Sequence, residues 1–347
     1  MRKAIKVTAG LVGTLAVLVG SLLFYVNVSY QNVDSELRLL GYIVDRFSQA
    51  DTPEQLIALG HQSETDSYDL DEGIIVEETY IKGQDGKNIR AVILRSDKST
   101  PDAVGLLYLH GGGYVMGAPD STLDIRFMSD LIHTANTVIV APAYRLSHEA
   151  PYPAALNDSY TTLAWMKDNA AKLGINDSRL FIAGGSAGGG LTAATALYAR
   201  DQGDIKIAFQ MPLYPMIDDK NDLPSAARNE SLIWNSTKNR MAWKLYLGDL
   251  HKTDNVPIYA APSRATDLSG LPPTFTFVGD QDLFYDETIE FVQQLKNDGV
   301  PVEFYEYEGG YHVFEMIVPN ANVSQLANER LLAAFKNASE HYFATQN

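Results

Sequence analysis

The hydrophobic rhythm of the chain changes three times. Its first stretch, Val7–Tyr30, carries no charged residue and follows Arg2, Lys3 and Lys6. About 20 apolar residues cross a bilayer, whereas a signal-peptide core holds about 7–15. Bulky Leu22, Leu23, Phe24 and Tyr25 leave no small-x-small cleavage pattern near its end. Residues 1–30 are therefore expected to form a transmembrane helix retained as a membrane anchor, in effect an uncleaved signal. The basic leader before it and Asp34 and Glu36 after it put the N-terminus in the cytoplasm and the remainder outside. Secretion after signal cleavage is the alternative. Residues 31–72 then carry amphipathic helical spacing: Val33, Leu37, Leu39, Leu40, Ile43 and Val44, followed by Leu56, Ile57 and Leu59 after Thr52-Pro53. They are expected to form a membrane-proximal helical cap segment.

The third rhythm is alternation. Gly73–Ile81 and Ile89–Arg95 read as strands joined through Gln84-Asp85-Gly86-Lys87, a hairpin signal. Strands are then expected at Val104–Leu109, Thr137–Ala143, Leu180–Ala183, Ile207–Pro212, Thr274–Gly279 and Val302–Tyr307. Helices are expected between and after them at Ser121–Ala135, Pro153–Leu173, Ala187–Asp201, Phe284–Asn297 and Gln325–Tyr342. Strand and helix in turn make an α/β fold, a mostly parallel sheet covered by helices on both faces. Reactive groups in such sheets gather at the carboxyl ends of the strands. Met216–Gly270 breaks the alternation and reads as a cap insertion (about 216–270) over those ends, within one domain of residues 73–347.

Charge and composition narrow the function classes. The formal net charge is −16, with no cluster of Lys and Arg, which argues against a nucleic-acid partner. No cysteine is present, so disulfides, thiolate metal sites and a cysteine nucleophile are excluded.

The chemistry gathers around Phe181-Ile-Ala-Gly-Gly-Ser-Ala-Gly-Gly-Gly190. A buried strand stops, turns through glycines around Ser186, and becomes a helix whose first turn points free N–H groups at the serine. His110-Gly111-Gly112-Gly113 ends another apolar strand, and its glycines can aim backbone N–H groups at a developing oxyanion. A serine hydroxyl needs a base to take its proton. Of the seven histidines only His312 follows a late strand and a short glycine loop, Glu308-Gly-Gly-Tyr-His312. His110 is expected to order its loop, and His133 and His341 fall on helices. The group that orients the imidazole is expected in Gly279-Asp-Gln-Asp-Leu-Phe-Tyr-Asp286, where spacing leaves Asp280, Asp282 and Asp286 open, the two others forming a solvated acidic loop. Serine, acid, histidine is the chain order of an α/β-hydrolase.

These motifs together resemble the hormone-sensitive-lipase-like carboxylesterases of the α/β-hydrolase superfamily, from about Gly105 to Phe314. The resemblance rests on His110-Gly-Gly-Gly-Tyr-Val115, Tyr144-Arg-Leu-Ser-His-Glu-Ala-Pro-Tyr-Pro-Ala154, Gly185-Ser-Ala-Gly-Gly189, Leu268-Ser-Gly-Leu-Pro-Pro-Thr274, Asp282-Leu-Phe-Tyr-Asp-Glu287 and Tyr311-His-Val-Phe314. It implies Asp282 as the acid and the N–H groups of Gly112, Gly113 and Ala187 as oxyanion donors. It departs from the family at Gly185, where an aspartate is common. The implied activity is hydrolysis of short- to medium-chain carboxylic esters through an acyl-enzyme, needing neither metal nor cofactor. Tyr114, Trp243 and Tyr246 are expected in the substrate pocket, though the last two fit ordinary core at helical spacing equally well. A serine peptidase or amidase on the same fold, and a non-catalytic ligand-binding homologue, are the alternatives. The natural ester and the oligomeric state are not legible.

Overall fold

The computed structural model describes residues 17–61 and 71–346. Eight strands form one sheet: β1 (Ile74–Lys82), β2 (Asn88–Ser96), β3 (Ala103–Leu109), β4 (Thr137–Pro142), β5 (Ile175–Gly185), β6 (Phe209–Leu213), β7 (Thr274–Gly279) and β8 (Val302–Tyr307). Their spatial order is β1-β2-β4-β3-β5-β6-β7-β8. β1 and β2 pair antiparallel, as do β2 and β4, and every later pair is parallel. β3, β4 and β7 are buried at every position because helices cover both of their faces. The edge strands β1 and β8 are open along most of their length, with only Ile74, Ile81 and Tyr307 buried.

The helices fall largely where the apolar spacing places them. They are α1 (residues 17–29), α2 (Arg38–Phe47), α3 (Pro53–His61), α4 (Thr122–Thr134), α5 (Ala154–Asp168), α6 (Ala170–Leu173), α7 (Ala187–Gln202), α8 (Ser236–Leu247), α9 (Tyr285–Asn297), α10 (Phe314–Ile317) and α11 (Asn322–His341). α4 and α8 start where Ser121 Oγ and Asn235 Oδ1 accept N–H groups of their first turns. The single helix expected over Pro153–Leu173 is two, since Asn169 leaves helical geometry at φ −104°, ψ 13°. β5 begins five residues before the expected Leu180, and a register shift between Ala103 and Gly105 lets its polar start join β3.

The expected span Val7–Tyr30 lies partly outside the described residues, as does 62–70 of the cap segment. In its described part, α1 leaves Leu22, Leu23, Phe24, Tyr25 and Val28 exposed. Among the described residues no helix is long and apolar enough to cross a membrane. Arg38 fixes the end of α1 to α2: its guanidinium donates to Asn27 Oδ1 (3.1 Å), Gln31 O (2.9 Å) and Val33 O (2.8 Å). The same segment is fastened to the far end of the chain. Asp34 N–H donates to Gly309 O (3.0 Å), and Glu36 accepts from Asn322 through its backbone N–H (2.6 Å) and side-chain amide (2.9 Å). α2 passes close to Tyr311, because a Cβ at Gly41 would stand 2.6 Å from that ring.

The insertion after β6 folds as short turns around α8 rather than as a separate layer. Its tie to α2 is polar. Asp45 of α2 accepts the Ile233 N–H (3.0 Å), and buried Lys238 of α8 donates to Ile233 O (2.7 Å) with Asp45 4.0 Å away. The Arg264–Asp219 pair (2.6 and 2.8 Å) closes its other end.

Candidate active site

Ser186 stands between β5 and α7 at φ 59°, ψ −122°, a strained backbone for a residue with a Cβ. Glycines make that turn possible by close approach. A Cβ at Gly188 would collide with the Leu109 carbonyl oxygen at the end of β3, and one at Gly184 would meet the same atom. The serine therefore rises at the carboxyl end of the sheet, beside the glycine loop that follows β3.

The structure brings Ser186, His312 and Asp282 together. His312 Nε2 lies 2.9 Å from Ser186 Oγ, and its Nδ1 lies 2.8 Å from Asp282 Oδ2. The other carboxylate oxygen, Oδ1, accepts the Phe284 N–H (3.0 Å). All three side chains are buried. Tyr214 and Phe284 pack their rings edge-on against the imidazole, at centroid distances of 5.2 and 5.0 Å. Arg228 of the insertion holds the acid loop from outside, donating to the carbonyls of Asp280 (2.6 Å) and Asp282 (3.3 Å).

The two rival aspartates are not a solvated loop, which corrects that expectation. Asp280 Oδ1 accepts the Gly309 N–H (2.8 Å), and Asp286 Oδ2 accepts the Ser225 N–H (2.7 Å). Each carboxylate pins a neighbouring loop and neither meets His312. His110 stacks on Tyr144 (4.1 Å between centroids), and its Nδ1 lies 2.8 Å from Gly111 O. Burial lowers the pKa of that imidazole, so it holds the glycine loop as a neutral ring.

Gly112 and Gly113 adopt φ +114° and +62°, and a Cβ on Gly113 would collide with the Trp234 ring. Among the described residues neither glycine N–H donates to a backbone acceptor. The Ala187 N–H opens α7 and has no intrahelical acceptor. Three unsatisfied donors beside a serine suit an atom that gains negative charge.

A cavity of about 540 Å³ opens over Ser186 and His312. Its walls are largely apolar: Ile43, Val44 and Phe47 from α2, Leu59 from α3, Trp234 from the insertion and Met316 from α10. Phe47 and Leu123 stay exposed at its rim. Polar groups enter at Lys238 and at Asp124, whose carboxylate accepts the Tyr108 hydroxyl (2.5 Å) and whose pKa burial raises. The expected pocket residues are displaced. Tyr114, Trp243 and Tyr246 are core: Tyr114 and Tyr246 stack at 4.0 Å, and none of the three lines the cavity. Helical spacing put Trp243 and Tyr246 on a buried face of α8, and that face packs on Tyr114 of the glycine loop and on Tyr152 rather than lining the cavity.

Sequence reasoning overlooked Tyr214 and Glu315. Tyr214 follows β6, a carboxyl end of a strand, and donates its hydroxyl to buried Glu315 (2.6 Å). Tyr214 also occupies the space beside the nucleophile. A Cβ at Gly185 would stand 2.9 Å from Tyr214 Cε2 and 3.0 Å from its hydroxyl oxygen. A side chain at Gly185 would force the Tyr214 ring to shift away from its place beside the nucleophile.

A family described as having the α/β-hydrolase fold matches residues 106–316. Esterase LipI of Mycobacterium tuberculosis is 36% identical over 238 residues, covering 67% of this chain and 72% of that protein. Carboxylesterase NlhH of the same species is 36% identical over 239 residues, covering 67% and 73%. Among solved structures, a bacterial heroin esterase superposes with a TM-score of 0.81 at 31% identity, covering 89% of this chain and 98% of that one. The chain therefore belongs to the α/β-hydrolase fold family, among its hormone-sensitive-lipase-like carboxylesterases, and is a carboxylic ester hydrolase.

Proposed function

We propose that the protein is a serine carboxylesterase acting on short- to medium-chain esters, with Ser186 as nucleophile, His312 as base and Asp282 as the orienting acid. The observation that carries this reading is the run of contacts from Asp282 through His312 to Ser186, 2.8 and 2.9 Å, at the floor of an apolar cavity. In this mechanism Ser186 Oγ attacks the ester carbonyl while His312 Nε2 takes its proton. The N–H groups of Gly112, Gly113 and Ala187 receive the oxyanion. The imidazolium then protonates the departing alkoxide, leaving the acyl group on Ser186. Water, deprotonated by His312, releases the acid and restores the serine. The chain supplies every group these steps use.

Val7–Tyr30 is proposed as a membrane anchor that holds the catalytic domain outside the cytoplasm. Its lack of charge, its basic leader and the exposed apolar side chains of α1 support this. Flotation with vesicles tests it; a native protein that washes off with salt would end that reading.

The catalytic reading is tested by fluorophosphonate labelling and by turnover of p-nitrophenyl esters graded in acyl length. Wild-type protein should label once, at Ser186. Ser186→Ala and His312→Ala should lose about 10⁴-fold or more in kcat. Near-wild-type turnover in either variant would defeat the assignment. Anilides run alongside the esters separate an esterase from an amidase.

A further inference from the structure

Glu315 lies three residues beyond His312, in α10, and is buried at 1% exposure. Its Oε1 accepts the Tyr214 hydroxyl, and its Oε2 has no hydrogen-bond partner among the described residues. A buried carboxyl without a cation and with an empty oxygen costs stability, so a fold that only needed filling would carry an apolar side chain there. The groups that face it come from five directions. They are Tyr214 after β6, Tyr108 on β3, Tyr307 at the end of β8, Tyr311 and His312 in the loop before α10, and Asp282 in the acid loop. Among these, His312 is the one group able to become a cation.

Tyr214 connects this carboxyl to the reacting atoms. Its ring stands at 80° to the His312 ring, and its hydroxyl end fills the space that a side chain on Gly185 would need. Its own backbone is held at φ 33°, an unfavourable conformation for tyrosine, so the ring is placed there against a local cost. The carboxyl, the tyrosine and the imidazole form one packed group, and a glycine beside the nucleophile makes room for it.

We infer that Glu315 is a positioning residue for His312: with Tyr214 it forms a second carboxyl support that holds the ring and favours its imidazolium form during turnover. The inference rests on the proposed role of His312 as the base. Its chemistry is electrostatic. An ionised Glu315 lowers the energy of the His312 cation that forms when Ser186 gives up its proton, whereas a neutral Glu315 does not. Burial chiefly, and the nearby Asp282, push its carboxyl up to about 7, against the opposing pull of the Tyr214 hydrogen bond, of its own backbone N–H and of His312. The support therefore strengthens as pH rises through neutrality.

The test compares wild type, Glu315→Gln and Tyr214→Phe on p-nitrophenyl butyrate from pH 5 to 9, with active sites counted by fluorophosphonate labelling. Glu315→Gln should lose about tenfold in kcat at pH 8, the value of one unit of proton affinity at His312, with KM unchanged. The loss should shrink towards unity at pH 5.5, where the wild-type carboxyl is already neutral. Tyr214→Phe should fall in the same direction by a smaller factor, and it serves as the test should Glu315→Gln fail to fold. A loss uniform across pH, or no loss, in a variant that still labels fully would overturn the inference and leave the serine mechanism standing. Wild-type protein that does not label would instead overturn the reading on which the inference rests.

Discussion

Asp282→Asn separates geometry from charge at the proposed site. The replacement keeps the shape, but its two ends are no longer alike. The side-chain position now occupied by Oδ1 must accept the Phe284 N–H (3.0 Å), so the amide oxygen belongs there. The amide nitrogen then faces His312 Nδ1 at the present 2.8 Å and donates to it. His312 must in response carry its proton on Nε2, the atom 2.9 Å from Ser186 Oγ that the mechanism needs bare. Loss of the carboxylate also removes the charge that stabilises the imidazolium. In other triads the wrong tautomer costs about 10⁴-fold in kcat, roughly 5 kcal/mol of barrier. The same loss is expected here, measured as active-site-normalised kcat on p-nitrophenyl butyrate, with thermal unfolding close to wild type. Asp280→Asn and Asp286→Asn are the internal controls. Their carboxylates accept backbone N–H groups of Gly309 and Ser225, which an amide oxygen can still do, so each should lose less than about threefold. Retention of a tenth of the activity in Asp282→Asn, or a larger loss at either control, would refute the reasoning.

Two further outcomes follow from the pocket and from Glu315. Trp234 forms part of the cavity wall against the glycine loop, so Trp234→Ala should raise the kcat/KM ratio of octanoyl over butyryl ester by about tenfold in a graded acyl series. An unchanged ratio would remove Trp234 from the acyl site. Glu315 has a folded pKa near 7, above its ordinary 4.5. Its contribution is therefore fully present below pH 4.5 and is lost as pH rises through 7, because the unfolded chain ionises it first. Glu315→Gln removes that loss, so its stability relative to wild type should rise by roughly 3 kcal/mol between pH 4.5 and pH 8 in urea unfolding. A pH-independent difference would mean that the carboxyl titrates in the folded protein as it does in the unfolded chain.

Much of the sheet is legible because burial on both faces writes itself as unbroken apolar runs, such as Leu106–Leu109 and Leu180–Ala183. Glycines around Ser186 and after His110 are legible for a similar reason, since close backbone approach tolerates nothing larger. What the local pattern does not contain is pairing at a distance. Asp280, Asp282 and Asp286 are indistinguishable by spacing, and only the fold separates the one that meets His312 from two that bind backbone. Trp243 and Tyr246 have the spacing of a buried face, but spacing does not say whether that face meets a cavity or, as here, the rings of Tyr114 and Tyr152. Trp234 and Lys238, which line the cavity, depend on Asp45 nearly two hundred residues earlier. The Tyr214–Glu315 contact spans a comparable gap in kind, joining the end of one strand to a short helix after another.

The fastening of Asp34 and Glu36 to Gly309 and Asn322 bears on the order in which the protein is assembled during synthesis. The helices that wall the cavity leave the ribosome before the sheet, yet an anchoring partner, Asn322, lies 286 residues beyond Glu36. At about 5–20 residues per second that interval is tens of seconds; α8 and the turn before it reach α3 and Asp45 of α2 within it, but Tyr311, against which α2 packs at Gly41, comes only after β8. The glycine loop and the serine elbow can be in place by mid-chain, but the chamber around them closes only once the loop after β8 and the first residues of α11 arrive. Truncation after residue 300 should therefore do more than delete His312. It should also remove the edge strand β8 and leave the opening segment unfastened, an adhesive end beside a sheet that lacks its last strand.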